Sequence, residues 1–472
     1  MRRRTFLTGA LVGATAGLPL AGGAFAAVPE TPVSTAAALR TALASAGPGT
    51  RIVLENGTYA APAGGFSLAG RSGTADAPIT VVARTRGGAT ITGGAGFDLA
   101  DASHVVLSGL RLRHSQTLVV PASAVGIRLT RNDISLVDTT DVDWVTVWAD
   151  GVKIDRNHFH DRVTRGCFLV VAGPTPTTVA RGTQIMRNRF SGHGFVGDNG
   201  GEPIRLGDSA RALSDSAAVI EYNLLEGCDG DPEGISVKAS GAVVRYNTIR
   251  DSLGGIVLRH GNGNRVEGNH LLGGGNGIRV YGNDHVVVNN HLAGLTERGL
   301  VVGSGTVRDH TDGESATSRR GNDACDRVVI AHNTVVNTVK PLSGETRAFE
   351  PREVTITDNL LVAASGSLVS MGATTGFTWA GNLFWGAAAD GNAPAAGFRR
   401  VDPKLAAGAD GVFRLTAGSP AIGAAVGTAV SVTEDVDGQP RGSARDVGSD
   451  QYSAAAPLRR PLLPADVGPN AS

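Results

Sequence analysis

The stretch from Val243 to Gly294 reads VVRYNTIRDSLGGIVLRHGNGNRVEGNHLLGGGNGIRVYGNDHVVVNNHLAG. One phrase returns three times in it: an apolar residue, two further residues, Asn, one residue, then another apolar residue, as VRYNTI, VEGNHL and VVNNHL. Its asparagines, Asn247, Asn269 and Asn290, stand 22 and 21 residues apart. The phrase extends outward to Asn132, Asn157, Asn188 and Asn223 on one side and to Asn333, Asn359 and Asn382 on the other. Most intervals are 21 to 26 residues, with longer ones of 31, 35 and 43. A period of this length with irregular long members is a solenoid with loops inserted into some turns. Each repeat holds short β-branched runs, has no room for a helix and is punctuated by Gly or Asn, which selects a parallel β-helix. A turn Asn can adopt the left-handed conformation, and its amide can bond to the equivalent residue one coil away. That ladder role accounts for all ten asparagines without assigning them chemistry.

A solenoid needs caps, because its end coils expose an apolar face. Residues 34–46, STAAALRTALASA, predict a short amphipathic helix with Ser34 as N-cap, followed by TRIVLENGTY as a first strand with an Asn-Gly turn. FRLTAGSPAIGAA and VTEDVDGQPRG suit an irregular C-terminal cap, and 454–472, with four prolines and no pattern, reads as a flexible tail. Residues 1–26 form a leader: Arg3-Arg4, one residue, then Phe6-Leu7, an apolar Gly/Ala-rich stretch, and a small-x-small site at Ala24-Phe25-Ala26. This resembles a bacterial twin-arginine signal, so export to the periplasm or exterior is expected. The β-helix with its caps then spans 27–453, and no later apolar run reaches the length of a membrane span.

Lys+Arg 43 against Asp+Glu 43 leaves no net charge, which argues against a nucleic-acid binder relying on a broad basic surface. Cys167, Cys228 and Cys325 lie far apart without metal-site spacing. Only Lys153, Lys238, Lys340 and Lys404 are lysines, and the remaining 39 basic residues are arginines. A lysine in a reactive setting therefore needs a reason.

Between Gly197 and Gly282 the chain departs from what a plain solenoid requires. Asp231 and Glu233 sit two apart, on one face of a strand. Lys238 follows five residues later, Arg259 lies 21 beyond it and Arg279 a further 20, so the three cations are expected to stack in one column on adjacent coils. A surface salt-bridge ladder would use the same residues, but an amine that can lose its proton is what arginine cannot supply. Lys238 has the opposite parity to the paired acids, so all three face one site only if the strand bends, and Gly234 allows a bend.

These residues resemble polysaccharide lyase family 6, the right-handed β-helix alginate lyases and chondroitin B lyases. The likeness covers roughly Gly192 to Gly299. In that family an NGxExIRxG-like stretch supplies an Asn calcium ligand, a paired-acid motif supplies two carboxylate ligands, a Lys follows five residues on, and an RHG motif stands in the next coil. Here these are Asn199, Asp231, Glu233, Lys238 and Arg259-His260-Gly261. The resemblance implies a calcium-assisted β-elimination, with Ca2+ held by Asn199, Asp231 and Glu233, Lys238 as base and Arg259 as acid supporting the leaving group. It implies substrate binding by Arg205, His260 and Arg279. The first paired acid is Asp231 where the family usually has Glu, and the chain carries one β-helix where some alginate lyases have two. The expected substrate is an acidic polysaccharide, alginate before dermatan sulfate, met by a monomer. A mannuronan C5-epimerase and a non-catalytic polysaccharide-binding β-helix are the alternatives.

Overall fold

The computed structural model describes residues 29–197 and 199–472; the leader pattern lies outside them. Each repeat makes one coil, and successive coils lend short strands to three parallel sheets of 14, 11 and 14 strands. The coils form a right-handed parallel β-helix, the hand that crossover connections between parallel strands take.

Strand alternation sends every second side chain inward. Ile52, Val81, Leu107, Leu129, Ile154 and Ile185 meet in register from coil to coil and are fully buried. Each such side chain contributes about 1.5–3 kcal/mol by leaving water, so a stack of identical positions holds the helix without any single dominant contact. Phe159 and Phe190 stack in the same way on another wall, with ring centroids 4.9 Å apart.

The asparagine ladder is present along the whole helix, and the left-handed residue is not the asparagine itself. Positive φ falls on the preceding residue, as at Arg156 (54°), Tyr222 (53°) and Tyr246 (58°). That kink turns each Asn inward, where its side-chain carbonyl accepts two bonds from the Asn before it. Asn247 Oδ1, for example, takes the backbone N–H and the Nδ2 of Asn223, both at 2.9 Å. The Asn247 Nδ2 passes the pattern on to Asn269 Oδ1 at 3.0 Å. The corner is dry, so every polar group there must find a protein partner.

The cap helix spans Ala36–Ala44, and Thr35 rather than Ser34 caps it, its hydroxyl accepting from the Ala38 N–H at 3.1 Å. Leu39 and Leu43 close the end of the core. The first strand is Glu30–Val33, ahead of the helix, and it pairs with Arg51–Leu54. Asn56-Gly57 makes a corner between two sheets instead of a hairpin, since Gly57–Ala60 belongs to a different sheet. The segment 454–472, expected to be flexible, is laid along the left-handed corner. Leu462 N–H donates to Thr248 Oγ1 at 2.8 Å, Gly468 N–H to Arg187 O at 2.9 Å, and Arg131 Nη1 to Pro469 O at 3.0 Å. Leu462 and Val467 bury against Leu224, so two apolar anchors and extended Pro-rich backbone suffice where no periodic pattern exists. Cys167, Cys228 and Cys325 are buried and free. Among the described residues no helix is long and apolar enough to cross a membrane.

Candidate active site

Four consecutive strands of the 11-stranded sheet build the site: β1 (Ile204–Gly207), β2 (Glu233–Lys238), β3 (Gly255–His260) and β4 (Asn276–Val280). In β2, Ile235 and Val237 point into the core, and strict alternation would send Glu233 there too. Glu233 instead pairs with Gly255 while Ile235 pairs with Ile256, leaving Gly234 as an extra residue. This bulge is the bend that the parity of the acids and Lys238 demands, and it frees Glu233 to reach the cations of the outer face. A Cβ at Gly234 would stand 2.7 Å from Gly254 O, so only glycine fits.

A second irregularity follows. Val237 pairs with Leu258 but Lys238 pairs with His260, which makes Arg259 the unmatched residue of β3. The expected single column of Lys238, Arg259 and Arg279 is therefore absent. Arg279 stands level with Val257, Ser236 and Arg205, while Lys238 stands level with His260 and Gly207. Intervals of 21 and 20 residues looked regular, but the steps that are in register here are 22 residues, from Lys238 to His260 and from Val257 to Arg279.

The side chains nevertheless converge. Glu233 Oε1 accepts from Arg279 Nη2 at 2.7 Å and lies 3.7 Å from Arg259 Nε, and its Oε2 accepts from Ser236 Oγ at 2.6 Å. The Arg259, Arg279 and Arg347 guanidiniums gather about the Tyr281 ring at 5.5, 5.7 and 5.6 Å from its centroid. The ring's negative face offsets part of their mutual repulsion. Tyr281 is buried and hydrogen-bonded to Glu345, and burial followed by that carboxylate pushes its phenol up to about 12 despite the arginines. Asp231 accepts backbone N–H bonds from Gly200 (2.9 Å) and Glu233 (2.9 Å). Burial, then the Glu202 and Glu233 carboxylates, push it up to about 6.

Lys238 reaches a partner that sequence reasoning missed. Its Nζ donates to Glu202 Oε1 at 2.8 Å, and Glu202 is 1% exposed. Burial opposes ionisation of Glu202, but the Lys238 and Arg205 charges outweigh it and hold the carboxyl below its usual range. Arg205 also donates to Asp143 Oδ2 at 3.2 Å. His260 is buried beside His310, and desolvation, then Arg259 and Lys238, push its imidazole down to about 3. Like Lys238 and Arg205, it is not among the residues that line the cleft.

Asn199, Asp231, Glu233, Arg259 and Arg279 line one cleft of about 560 Å³, with Tyr281 and Arg347. The loop at 304–324 supplies a wall through Thr306, Arg320 and Asn322. An adjoining hollow of about 410 Å³ continues past Arg279 to Asn276, Glu297 and Arg298. Tyr281, Arg320, Glu345 and Arg347 carry no motif, and the long insertion between Asn290 and Asn333 hides how many coils separate Glu345 and Arg347 from the site. Glu202 had a signal: it is the only acid in the Gly/Pro run between Asn199 and Arg205.

The family model for chondroitinase B matches residues 33–360. The chain belongs to the chondroitinase B family. The match starts at the N-terminal cap and runs through all four site strands. No curated protein sequence matches the chain. Among solved structures, the PL6 family alginate lyase AlyGC is 26% identical with a TM-score of 0.71, over 83% of this chain and 56% of its own. The chain thus spans little more than half of AlyGC. A mannuronic acid specific PL6 lyase from human gut microbiota is 24% identical, TM-score 0.69, over 79% of this chain and 91% of its own. The PL6 lyase Pedsa3628 from Pseudopedobacter saltans is 20% identical, TM-score 0.65, over 93% and 99%. The last two share the fold of this family member.

Proposed function

We propose that the protein is an exported polysaccharide lyase that cleaves a uronate polymer, alginate before dermatan sulfate, by β-elimination. The observation that carries this reading is the convergence of Glu233, Arg259 and Arg279 on one cleft beside a lysine held by a buried carboxylate. Arginine clusters recognise carboxylates through paired N–H donors, and a polyuronate offers one carboxylate per sugar. Lys238, as a free amine, takes the C5 proton: the C5–H bond breaks, an N–H bond forms, and the electron pair becomes the C4–C5 double bond as the glycosidic oxygen leaves C4. Arg259 and Arg279 stabilise the negative charge that gathers on the uronate carboxylate in between, and Arg259 hydrogen-bonds the departing oxygen and gives it a proton, which Arg259 regains from water. The similarity to solved alginate lyases supports alginate, and the twin-arginine pattern at Arg3-Arg4 supports export.

Asn199, Asp231 and Glu233 offer one amide and two carboxylate oxygens, a hard donor set of the kind Ca2+ takes. The raised Asp231, crowded by two other carboxylates, favours an added positive charge. These three residues would hold the ion, which when bound would withdraw charge from the substrate carboxylate. Arg279 already occupies Glu233 Oε1, so ion and guanidinium compete for that oxygen.

Incubation with alginate should raise the ultraviolet absorbance of an unsaturated uronate. An epimerised or merely bound polymer gives no such rise, and either result would remove the lyase reading. Chelation should abolish the activity and added calcium restore it. Full turnover after exhaustive chelation, with no calcium by elemental analysis, would leave carboxylate neutralisation to the arginines alone.

A further inference from the structure

Glu202 is a buried carboxylate outside the metal set and outside the cleft lining. Its Oε1 is within 2.8 Å of Lys238 Nζ, and its Oε2 is within 3.4 Å of the Cys167 thiol and 4.0 Å of Arg205 Nη1. The Cys167 thiol is fully buried and its pKa is driven well up by that burial, so it stays a neutral donor. One oxygen of Glu202 is thus fixed by the protein and the other is left for the amine. Among the described residues no other lysine forms an ion pair. A buried ion pair is weak stabilisation compared with apolar residues of similar volume, which makes its retention at this lysine a matter of geometry more than of stability. Lysine also has a long, freely rotating stem, so its amine needs an anchor to keep one direction.

We infer that Glu202 is the positioning residue of the elimination: it anchors Lys238 Nζ through one N–H and so fixes the direction in which the amine meets the substrate. This rests on the reading of Lys238 as the base. The same seven residues, Asn199 to Arg205, then deliver a candidate ion ligand, the anchor of the base and a substrate-binding arginine. Glu202 bonds the base nitrogen and lies outside the cleft lining. Its effect passes through Lys238 alone.

The test uses the full chain with Glu202→Gln, which keeps shape and removes charge, and Glu202→Asp, which keeps charge and withdraws it by one methylene. Turnover of alginate should fall about tenfold or more in Glu202→Gln with KM within about twofold, as a misplaced catalytic group predicts; Glu202→Asp should be intermediate. Labelling by trinitrobenzenesulfonate, read by peptide mapping, should speed up severalfold at Lys238 in Glu202→Gln, with Lys153, Lys340 and Lys404 as internal references. Unchanged kcat, a rise confined to KM, unchanged labelling of Lys238, or loss of the folded state in both variants would each overturn the assignment. Lys238→Ala separates the two levels. If it keeps eliminating, the base reading itself is lost; if it is inactive while Glu202→Gln is normal, only the positioning role is lost.

Discussion

The corner that carries the asparagines and the sheet that carries the cleft are built from the same coils, yet they follow opposite rules. At the corner the asparagine repeats are equivalent and every asparagine amide is bonded. In the cleft sheet the register breaks twice within two strands, Asp231 is held against its charge preference, and three guanidiniums crowd one tyrosine. Uniform stacking lets the helix absorb such departures, because each coil is held by neighbours that do not share the strain. The glycines make the departures possible: Gly234 carries the bulge, and a side chain there would strike Gly254.

If that division is right, substitutions in the two regions should differ in kind. The largest effect should come from Lys238. Lys238→Arg and Lys238→Ala should both lose on the order of 10³-fold in turnover with unchanged melting, the size of a removed general base, and substantial elimination by the Arg variant would remove Lys238 as base. Arg259→Ala should cost on the order of 10²-fold in kcat for a lost partner of transition-state charge. A change confined to KM would demote it to substrate grip.

Asn247→Ala should behave in the opposite way. It strips the acceptor from the Asn223 N–H and Nδ2 in a dry corner, so chemical unfolding should show a loss of about 1–3 kcal/mol for the stranded donors, with kcat and KM of the remaining folded enzyme near normal. A large activity loss at unchanged stability would mean that the corner and cleft are coupled.

The smallest effect concerns the C-terminal cap, where Asp435 and Asp450 are pushed up to about 6 and about 7, chiefly by burial. A carboxyl whose folded pKa is raised binds its proton more tightly when folded, so its contribution to stability is greatest at low pH and declines as pH rises from about 4 to about 7. Asp450→Asn should flatten that part of the melting profile by a few degrees at most. An unchanged slope would place the titration elsewhere. Asp450 also accepts the Leu415 N–H, which the amide oxygen of Asn can still do.

Much of this was legible in the chain. The asparagine period names the fold because a β-helix repeats its corners, and a corner residue whose amide must meet its copy one coil away is constrained wherever the coil length varies. The set Asn199, Asp231, Glu233, Lys238 and Arg259 was legible through its resemblance to a family's motifs, and of its spacings only the 21 residues from Lys238 to Arg259 come near one coil. Glu202 was within reach as a lone acid in an apolar, glycine-rich run. The tail was misread because its hold rests on two isolated anchors, Leu462 and Val467, and isolated anchors have no period.

What the sequence determined by itself, then, was the solenoid, its ladder and the set of charged residues that share a stretch of coils. Only the tertiary structure decided which of them touch. Register is a property of pairs of strands: a bulge is two residues on one strand against one on the next, and no reading of either strand alone contains that count. Hence Lys238 stands beside His260 and bonds Glu202, Arg259 falls between rows, and Tyr281 and Arg347, 66 residues apart, close the same cleft.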